Sequence, residues 1–267
     1  MADSFVKHPR LPYVELRFST DSDRQYKPHM HKTFCIGAVG QGVVNFRVDG
    51  VLTRLEPGNL ALINPETLHS CNPDDSCKRN WSMIFLDVAW CLQLQQSLWH
   101  LDAFHPVDSA LLKDPPTHQL YLDTVASLKV DGEMLEKEGL LAGLAEQVFL
   151  KACKTAPRLD EPPGQIETLK MQLSADLEKD LSIREIARDL NVNPYTLLRR
   201  FKRVTGMTPH AYRLNCRIER AKKLLQKGLP LSQVALVCGF FDQSHFHRHF
   251  KAITMVTPKA YQVNFIQ

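Results

Sequence analysis

The sequence has no long hydrophobic run and no regular cysteine framework. Its 267 residues contain no stretch of about 18 consecutive apolar residues, the length that a membrane-spanning helix requires. Residues 1–10 lack the apolar core of a secretory signal peptide, so we expect a cytoplasmic protein that does not enter a membrane. Seven cysteines are scattered and odd in number, which favours reduced thiols over a set of structural disulfides.

Patterns that carry catalysis are also scarce. We find no glycine-rich phosphate loop, no serine, histidine and aspartate in an order typical of a hydrolase, and no recognisable motif of paired carboxylates. The sequence therefore predicts neither an enzyme nor a cofactor.

Charge divides the chain into two unlike parts. Residues 165–267 hold 17 lysines and arginines against 8 acidic residues, whereas residues 1–164 hold 16 against 21. A basic segment of this kind is expected to bind phosphates, so the C-terminal part is the candidate for contact with nucleic acid.

A pattern in the C-terminal part occurs twice, first over residues 181–212 and again over residues 229–261. Phe201-Lys202 corresponds to Phe250-Lys251 and Thr208-Pro209 to Thr257-Pro258, 49 positions apart, whereas Ala187 and Ala235 are 48 apart. One residue is therefore added in the second copy, around Gly239.

Each copy has the capping residues expected of two short helices joined by a turn. Ser182 and Glu185 form a capping-box pattern at the start of the first helix. Asn193 and Pro194 suit the cap and first position of the next helix, and Asp242 or Ser244 suits the corresponding cap in the second copy. The pattern predicts two helix-turn-helix motifs, at about residues 183–204 and 231–253, joined by a helix over residues 209–226.

The second helix of such a motif usually enters the major groove of DNA. Leu197 with Phe201, and Phe246 with Phe250, are expected to face the core at a spacing of four. The remaining edges are predicted to face double-stranded DNA, through Tyr195, Leu198, Arg199, Lys202, Gln243, Ser244, His245, His247 and Arg248.

The second copy resembles the AraC/XylS family of transcription regulators. The residues that carry the resemblance are Gly239-Phe240, residues 242–246 (DQSHF), Arg248, Phe250-Lys251, Thr257-Pro258 and Tyr261. The likeness implies sequence-specific binding to promoter DNA and contact with RNA polymerase. Met255 departs from the pattern, since it stands where the first copy has Gly206.

The N-terminal part has the pattern of short strands. Residues 36–39, 43–48, 51–55, 60–63 and 82–87 are predicted strands, with Asp49-Gly50 as a hairpin turn. Strands of this number favour a small barrel or jelly roll. His29, His31, His69 and the turn at Pro57-Gly58 resemble the sensory cupin domain of many AraC-type regulators, and the resemblance implies that these histidines line a ligand-binding site.

Two other interpretations of these residues stay open. The glutamate of metal-binding cupins is missing after His31, although Cys35 or Cys71 could join the histidines around zinc. Cys71 and Cys77 could also form a redox pair. For His29, His31 and His69 we favour contact with an organic ligand or a structural role, with no bound metal.

Helices are expected over residues 88–101, 118–128, 133–152 and 165–179. The third carries an apolar stripe of Leu140, Leu141, Leu144, Val148 and Phe149, which either packs on the barrel or pairs with a second subunit as a homodimer. Residues 155–164 are rich in proline and charge and are expected to link residues 1–154, a domain for sensing and dimerisation, to the DNA-binding domain at residues 165–267.

The predicted architecture is an α+β protein of two domains, a cupin-like β-barrel with flanking helices followed by an all-α domain. The predicted function is a transcription regulator, in particular an activator, that responds to a small-molecule effector in the barrel. The alternative is a metal-dependent cupin enzyme fused to a DNA-tethering domain.

Overall fold

A computed structural model describes residues 4–26, 28–74, 78–99, 101–154, 165–254 and 256–266. The chain divides into two compact units, one formed by residues 1–131 with 140–160 and the other by residues 132–139 with 161–267. The predicted linker, residues 155–164, lies outside the described residues, as do Cys77 and Met255.

The N-terminal unit contains two antiparallel sheets. Its strands are β1 (Ser4–Lys7), β2 (Val14–Ser22), β3 (Phe34–Gln41), β4 (Val44–Val48), β5 (Val51–Leu55), β6 (Leu60–Ile63), β7 (His69–Pro73), β8 (Arg79–Leu86) and β9 (Leu111–Leu112). One sheet has the order β1-β2-β8-β3-β6-β9 and the other the order β5-β4-β7. The all-β prediction for this part of the chain is confirmed.

The hairpin between β4 and β5 forms as predicted. Asp49 and Gly50 both have positive φ, 46° and 81°, and Val48 pairs with Val51 across the turn. Two successive residues with positive φ make the type of turn whose twist matches that of the flanking strands. The hairpin thereby fixes the register of β4, which pairs with β7 on its other side.

Among the described residues, this unit also contains α1 (Val88–Leu98), α2 (Pro115–Lys129) and, from residue 140 onwards, α3 (Met134–Ala152). The apolar stripe of α3 is buried at Leu141, Leu144, Val148 and Phe149. Phe149 packs against Phe34 of β3, with ring centroids 5.2 Å apart. The stripe thus packs on the sheet of its own chain, the first of the two alternatives predicted from the sequence.

The C-terminal unit is helical. Its helices are α4 (Gln165–Ala175), α5 (Ile183–Asp189), α6 (Pro194–Thr205), α7 (Pro209–Gln226), α8 (Leu231–Val237), α9 (Gln243–Thr254) and α10 (Pro258–Ile266). Helices α5 and α6 form the first helix-turn-helix, and α8 and α9 form the second. Helix α7 has the predicted bounds, with the Thr208 hydroxyl accepting a hydrogen bond from the Ala211 amide and Gly228 in a left-handed conformation after its end.

Each helix-turn-helix has its own hydrophobic core. The first contains Leu169, Leu173, Ile183, Leu197 and Phe201, and the second contains Ile218, Leu225, Val234, Phe246 and Phe250. Helix α7 contributes Ile218 and Leu225 to the second core. The aromatic residues of the two repeats are therefore anchors of two equivalent cores, as their spacing predicts.

Residues 132–139, which precede the predicted linker, also belong to the C-terminal unit. Leu135 is 1% exposed and lies in the first core. The carboxylate of Glu138 accepts hydrogen bonds from the Ser182 hydroxyl and the Ile183 amide, both at 2.8 Å. Because Ser182 is the N-cap of α5, Glu138 places a negative charge at the start of that helix, where the helix dipole favours it.

Two arginines of α7 are buried. Arg213 donates to the carbonyl oxygens of Leu173 (3.0 Å), Asp176 (2.7 Å) and Lys179. Arg217 donates to the Leu177 carbonyl at 3.0 Å and forms an ion pair with Glu133. These contacts connect α7 to the end of α4 and to the chain that follows it.

The described cysteines are free thiols. Cys35, Cys91, Cys153 and Cys238 are buried, and Cys71 and Cys216 are half-buried. Burial raises the pKa of every one of them, to about 11 for Cys238 and to about 12 for Cys71 and Cys153. Among the described helices, none is long and apolar enough to cross a membrane.

A pair of glycine substitutions tests the two motifs separately. Gly206 and Gly239 both have a φ of 76°, but a Cβ on Gly239 would lie 1.9 Å from the Leu177 carbonyl oxygen, whereas a Cβ on Gly206 meets no described atom within 4 Å. We expect Gly206→Ala to cost about 1 to 3 kcal/mol from backbone strain alone. Gly239→Ala should prevent native packing of the second helix-turn-helix.

The measurement is hydrogen exchange of the amides of α8 and α9 in both variants. Equal protection in the two variants would contradict the role of the close approach to Leu177.

Candidate DNA interface and ligand pocket

Helix α6 is the predicted recognition helix of the first motif. The Asn193 side chain accepts hydrogen bonds from the amides of Tyr195 and Thr196, and Gly206 ends the helix in a left-handed conformation. Leu197 and Phe201 are buried, as predicted, while Lys202 is exposed and Arg199 is half-buried. Arg203 is also exposed, and the sequence analysis did not single it out.

The predicted outward position of Tyr195 is wrong. Tyr195 is only 3% exposed, and Leu198 packs against the first core. The physical reason is that Leu198 packs against the core that holds Leu197 and Phe201, whereas the Tyr195 ring is buried close to Arg184 of the preceding helix. The Tyr195 hydroxyl accepts a hydrogen bond from Arg184 at 3.5 Å, which gives the buried ring a polar partner. The candidate DNA-facing edge of α6 therefore narrows to Arg199, Lys202 and Arg203.

Helix α9 is the predicted recognition helix of the second motif. Asp242 is its cap, because its carboxylate accepts a hydrogen bond from the His245 amide at 2.6 Å. Phe246 and Phe250 are buried, and the side chains of Gln243, Ser244, His247 and Arg248 are exposed, as predicted. Exposed Lys251 adds a second cation to this helix.

His245 is half-buried and has contacts within its own motif. Its ring centroid lies 5.6 Å from that of Phe240 and 4.5 Å from that of His249. Its Nδ1 accepts a hydrogen bond from the Phe241 amide at 3.3 Å. Burial lowers the pKa of His245, and it lowers that of His249 to about 4. His245 thus stabilises the turn between α8 and α9 in addition to lying beside the predicted DNA contacts.

The helix between the motifs has the length that the sequence predicts. Its 18 residues, at about 1.5 Å each, make a rod of about 27 Å. Successive major grooves on one face of duplex DNA are about 34 Å apart. That α6 and α9 enter two successive grooves stays a prediction.

The N-terminal unit contains a cavity of about 120 Å³. The three histidines predicted to bind a ligand all line it, although they come from two places in the chain. His29 and His69 exchange backbone hydrogen bonds of 3.0 and 2.9 Å, and their ring centroids are 4.5 Å apart. The ring of His31 lies 4.7 Å from that of His69. His69 is buried, His31 is half-buried and His29 is exposed.

The hydrogen bond of His69 fixes its tautomer. Its Nδ1 lies 2.8 Å from the Thr67 carbonyl oxygen, which only accepts, so Nδ1 carries the proton and Nε2 can accept a hydrogen bond. The Nδ1 of His31 lies 3.1 Å from the Thr33 carbonyl oxygen and 3.2 Å from the Thr33 hydroxyl, which can donate or accept. Burial lowers the pKa of both histidines, that of His31 to about 4.

Across the described parts of the chain, no three histidine, cysteine or acidic side chains are placed to hold a metal ion. Cys35 lies near His31, with Sγ 3.5 Å from Nε2, and its thiol is buried. Cys77, the second member of the redox-pair interpretation, lies outside the described residues.

Sequence analysis missed the residues of β2 and β8 that line the cavity. Arg79, Trp81, Met83 and Phe85 alternate along β8 and all line it, as does Arg17 of β2. Alternate residues of a strand share one face. Residues 79–85 show this alternation in the sequence. The predicted strand began at Ser82, however, and therefore excluded Arg79 and Trp81, the two residues of the set with polar groups.

A two-sheet unit with a cavity, followed by a pair of helix-turn-helix motifs, defines a class of DNA-binding proteins with a separate N-terminal domain. Residues 11–145 match the model of the AraC-like ligand binding domain, and residues 167–264 match that of a helix-turn-helix domain. The chain belongs to the AraC family of transcription regulators.

Two curated regulators and one solved structure resemble the chain over most of its length. The chain is 26% identical to the probable transcriptional regulator LumQ of Photobacterium leiognathi, over 91% of this chain and 93% of LumQ. It is 24% identical to YbfI of Bacillus subtilis, an HTH-type transcriptional regulator, over 83% of this chain and 82% of YbfI. Among solved structures, ToxT from Vibrio cholerae aligns over 98% of this chain and 97% of ToxT, with 14% identity and a TM-score of 0.37.

The two arginines on the recognition helices provide a test of base reading. If Arg199 and Arg248 each bind a guanine, each substitution by alanine should cost about 1 to 3 kcal/mol of binding free energy and relax sequence preference in one segment of the site only. The measurement is binding-site selection with each variant. Arg54→Ala, an exposed arginine of the N-terminal unit, is the charge-matched control.

A uniform loss of affinity for all sequences would instead assign Arg199 and Arg248 to phosphate contacts.

The lowered pKa of His31 predicts a dependence of stability on pH. The folded-state pKa is about 4 against an ordinary value of 6.5, because of burial and the neighbouring His69, His29 and Arg17. The unfolded chain therefore binds the proton first, so this contribution to stability is present above about pH 6.5 and is lost as the pH falls towards 4.

We expect His31→Asn to reduce the fall in the unfolding temperature between these pH values. Exposed Met30→Asn is the neighbouring control. If His31→Asn and Met30→Asn show the same pH dependence as the unsubstituted protein, His31 is not a source of the effect.

Proposed function

We propose that the protein is a sequence-specific transcription activator whose N-terminal unit binds a small-molecule effector that changes promoter binding by the C-terminal unit. The observation that carries the proposal is the convergence of His29, His31 and His69 on one cavity, in a chain that also holds two helix-turn-helix motifs. The cavity supplies both apolar surface and hydrogen-bonding groups, which is the usual composition of a small-molecule site.

DNA contact in this proposal depends on exposed side chains of α6 and α9. Lys202, Arg203, Arg248 and Lys251 are exposed cations on the two helices, in a segment whose basic residues outnumber its acidic ones by 17 to 8. Cations of this kind bind phosphates, and Gln243 and Arg248 also have the chemistry to read base edges. Arg199 of α6 completes the candidate set.

The partners of such an activator are promoter DNA, RNA polymerase and the effector, and a second copy of the chain as a homodimer. We infer a regulator without enzymatic activity, because the relatives that match most of this chain are transcriptional regulators. We place it in the cytoplasm, where the promoter and the polymerase are found.

The histidines of the cavity allow the sensing role to be separated from DNA binding. We expect His29→Ala and His69→Ala to alter the response to effector while binding of the operator without effector stays within about twofold, because the substituted groups lie in the other unit. The operator is first obtained by mapping binding sites across the genome. Each variant is then titrated against operator DNA and assayed by transcription in vitro.

Val51→Ala, at a site that is 67% exposed in β5, is the control in the same unit. Loss of operator binding without effector in folded His29→Ala or His69→Ala protein would count against the sensing role. Repression of transcription by purified protein at its operator would replace the activator assignment.

A further inference from the structure

The charged groups around the cavity are of one sign. Arg17 and Arg79 line it, and among the described lining residues none is an aspartate or glutamate. Arg17 pairs with Glu15 next to it on β2, so part of its charge is already balanced. Arg79 is 2% exposed, lines the cavity and donates a hydrogen bond to the Arg24 carbonyl oxygen at 3.2 Å.

Arg79, Trp81 and Tyr26 converge at one end of the cavity. The Arg79 guanidinium carbon lies 5.6 Å from the centroid of the Tyr26 ring, and the Trp81 ring packs edge-on against the same tyrosine at 6.4 Å. Arg79 and Trp81 are two residues apart on β8, so both side chains project from the same face of the strand. Arg79 and Trp81 thus both lie against the Tyr26 ring and both line the cavity.

The indole N–H of Trp81 is buried, and no acceptor for it is found in the described part of the protein. A buried donor without an acceptor costs about 1 to 3 kcal/mol, so it is favourable for a ligand to supply one. A carboxylate oxygen would satisfy this donor and at the same time pair with Arg79. Guanidinium groups bind carboxylates through parallel hydrogen bonds, which are among the strongest in proteins.

Apart from Arg17, Ser82 and the three histidines, the remainder of the cavity wall is largely apolar. Val39, Val44, Leu55, Met83 and Phe85 contribute to it. An engineered apolar cavity of about 150 Å³ accepts a benzene ring. A cavity of about 120 Å³ is therefore suited to a single ring or a short hydrocarbon chain rather than to a long one.

We propose that the effector is a small organic acid with an apolar body, whose carboxylate is bound by Arg79 and the Trp81 indole. The inference rests on the proposed effector-sensing function and specifies the chemical class of the effector. It also assigns the binding of the anion to two residues of β8 outside the histidine group.

A charge series tests this on the full-length protein. Benzoate, benzamide and benzylamine share one ring and differ in charge, and hexanoate, hexanamide and hexylamine do the same for a short chain. Calorimetric titration should show binding of at least one acid about tenfold or more tighter than its amide, with no binding of the amine, because only the acid pairs with Arg79. Equal affinity of an acid and its amide, tighter binding of an amine, or binding of no compound in either series would overturn the proposal.

Two substitutions locate the anion. Arg79→Met keeps an unbranched, flexible side chain and removes the guanidinium charge, and Trp81→Phe keeps an aromatic ring and removes the N–H. We expect each to weaken acid binding by about tenfold or more. Arg79→Met removes the ion pair and should affect the acid more than the amide, whereas Trp81→Phe should weaken the acid and the amide alike, because an amide carbonyl also accepts from the indole. Arg54→Met, at an exposed arginine of the same unit, should bind the acid as the unsubstituted protein does. Unchanged acid affinity in folded Arg79→Met and Trp81→Phe would refute the assignment of these residues.

Thermal unfolding without ligand identifies a variant that fails to fold. If Arg79→Met does not fold, Trp81→Phe and the charge series test whether the cavity binds a carboxylate.

Operator binding, measured with and without the acid, separates this inference from the proposed function. An acid that binds without any effect on operator binding would contradict effector sensing but leave the ligand class intact. An amine or neutral compound that alone changes operator binding would support sensing and contradict the ligand class.

Discussion

The C-terminal unit depends on two arginine side chains that are buried away from water. Arg213 and Arg217 are 1% and 2% exposed, and a buried guanidinium is tolerated only where acceptors surround it. Here the acceptors are backbone carbonyl oxygens of residues 173–179 and the carboxylate of Glu133. Because Arg213 and Arg217 lie one turn apart on α7, the same helix that supplies Ile218 and Leu225 to the second core also holds the segment that leads into the first helix-turn-helix.

The duplication explains why so much of this unit could be predicted. Caps at Asn193, Thr208 and Asp242 depend on neighbours within three residues, so their signals are local and complete in the sequence. Comparison of the two copies locates the additional residue near Gly239. It does not explain why a glycine is needed at this position. Gly239 is required by the carbonyl of Leu177, about sixty positions earlier, and no local pattern records so distant a contact.

The residues that the sequence analysis assigned wrongly or left out also depend on contacts outside their own local pattern. Tyr195 has a hydroxyl and lies on a basic helix, yet the hydrocarbon part of its ring is buried where Arg184 of the preceding helix offers a partner. Leu135 and Glu138 lie before the proline-rich segment, and no local pattern indicates that they belong to the C-terminal unit. At the cavity, the histidines were recognised by residue type, whereas Arg79 and Trp81 required the correct start of β8.

The state of the thiols has a practical consequence for spectroscopy. A thiol reacts with maleimides and with nitroxide or fluorophore reagents as its thiolate, and burial raises the pKa of each described cysteine well away from neutrality. The native side chains of Cys35, Cys91 and Cys238 are also sterically shielded. A cysteine introduced at an exposed position of α6, and another on α9, would therefore react much faster than these buried thiols. Labels on the two recognition helices would then report the distance between them, free and on DNA.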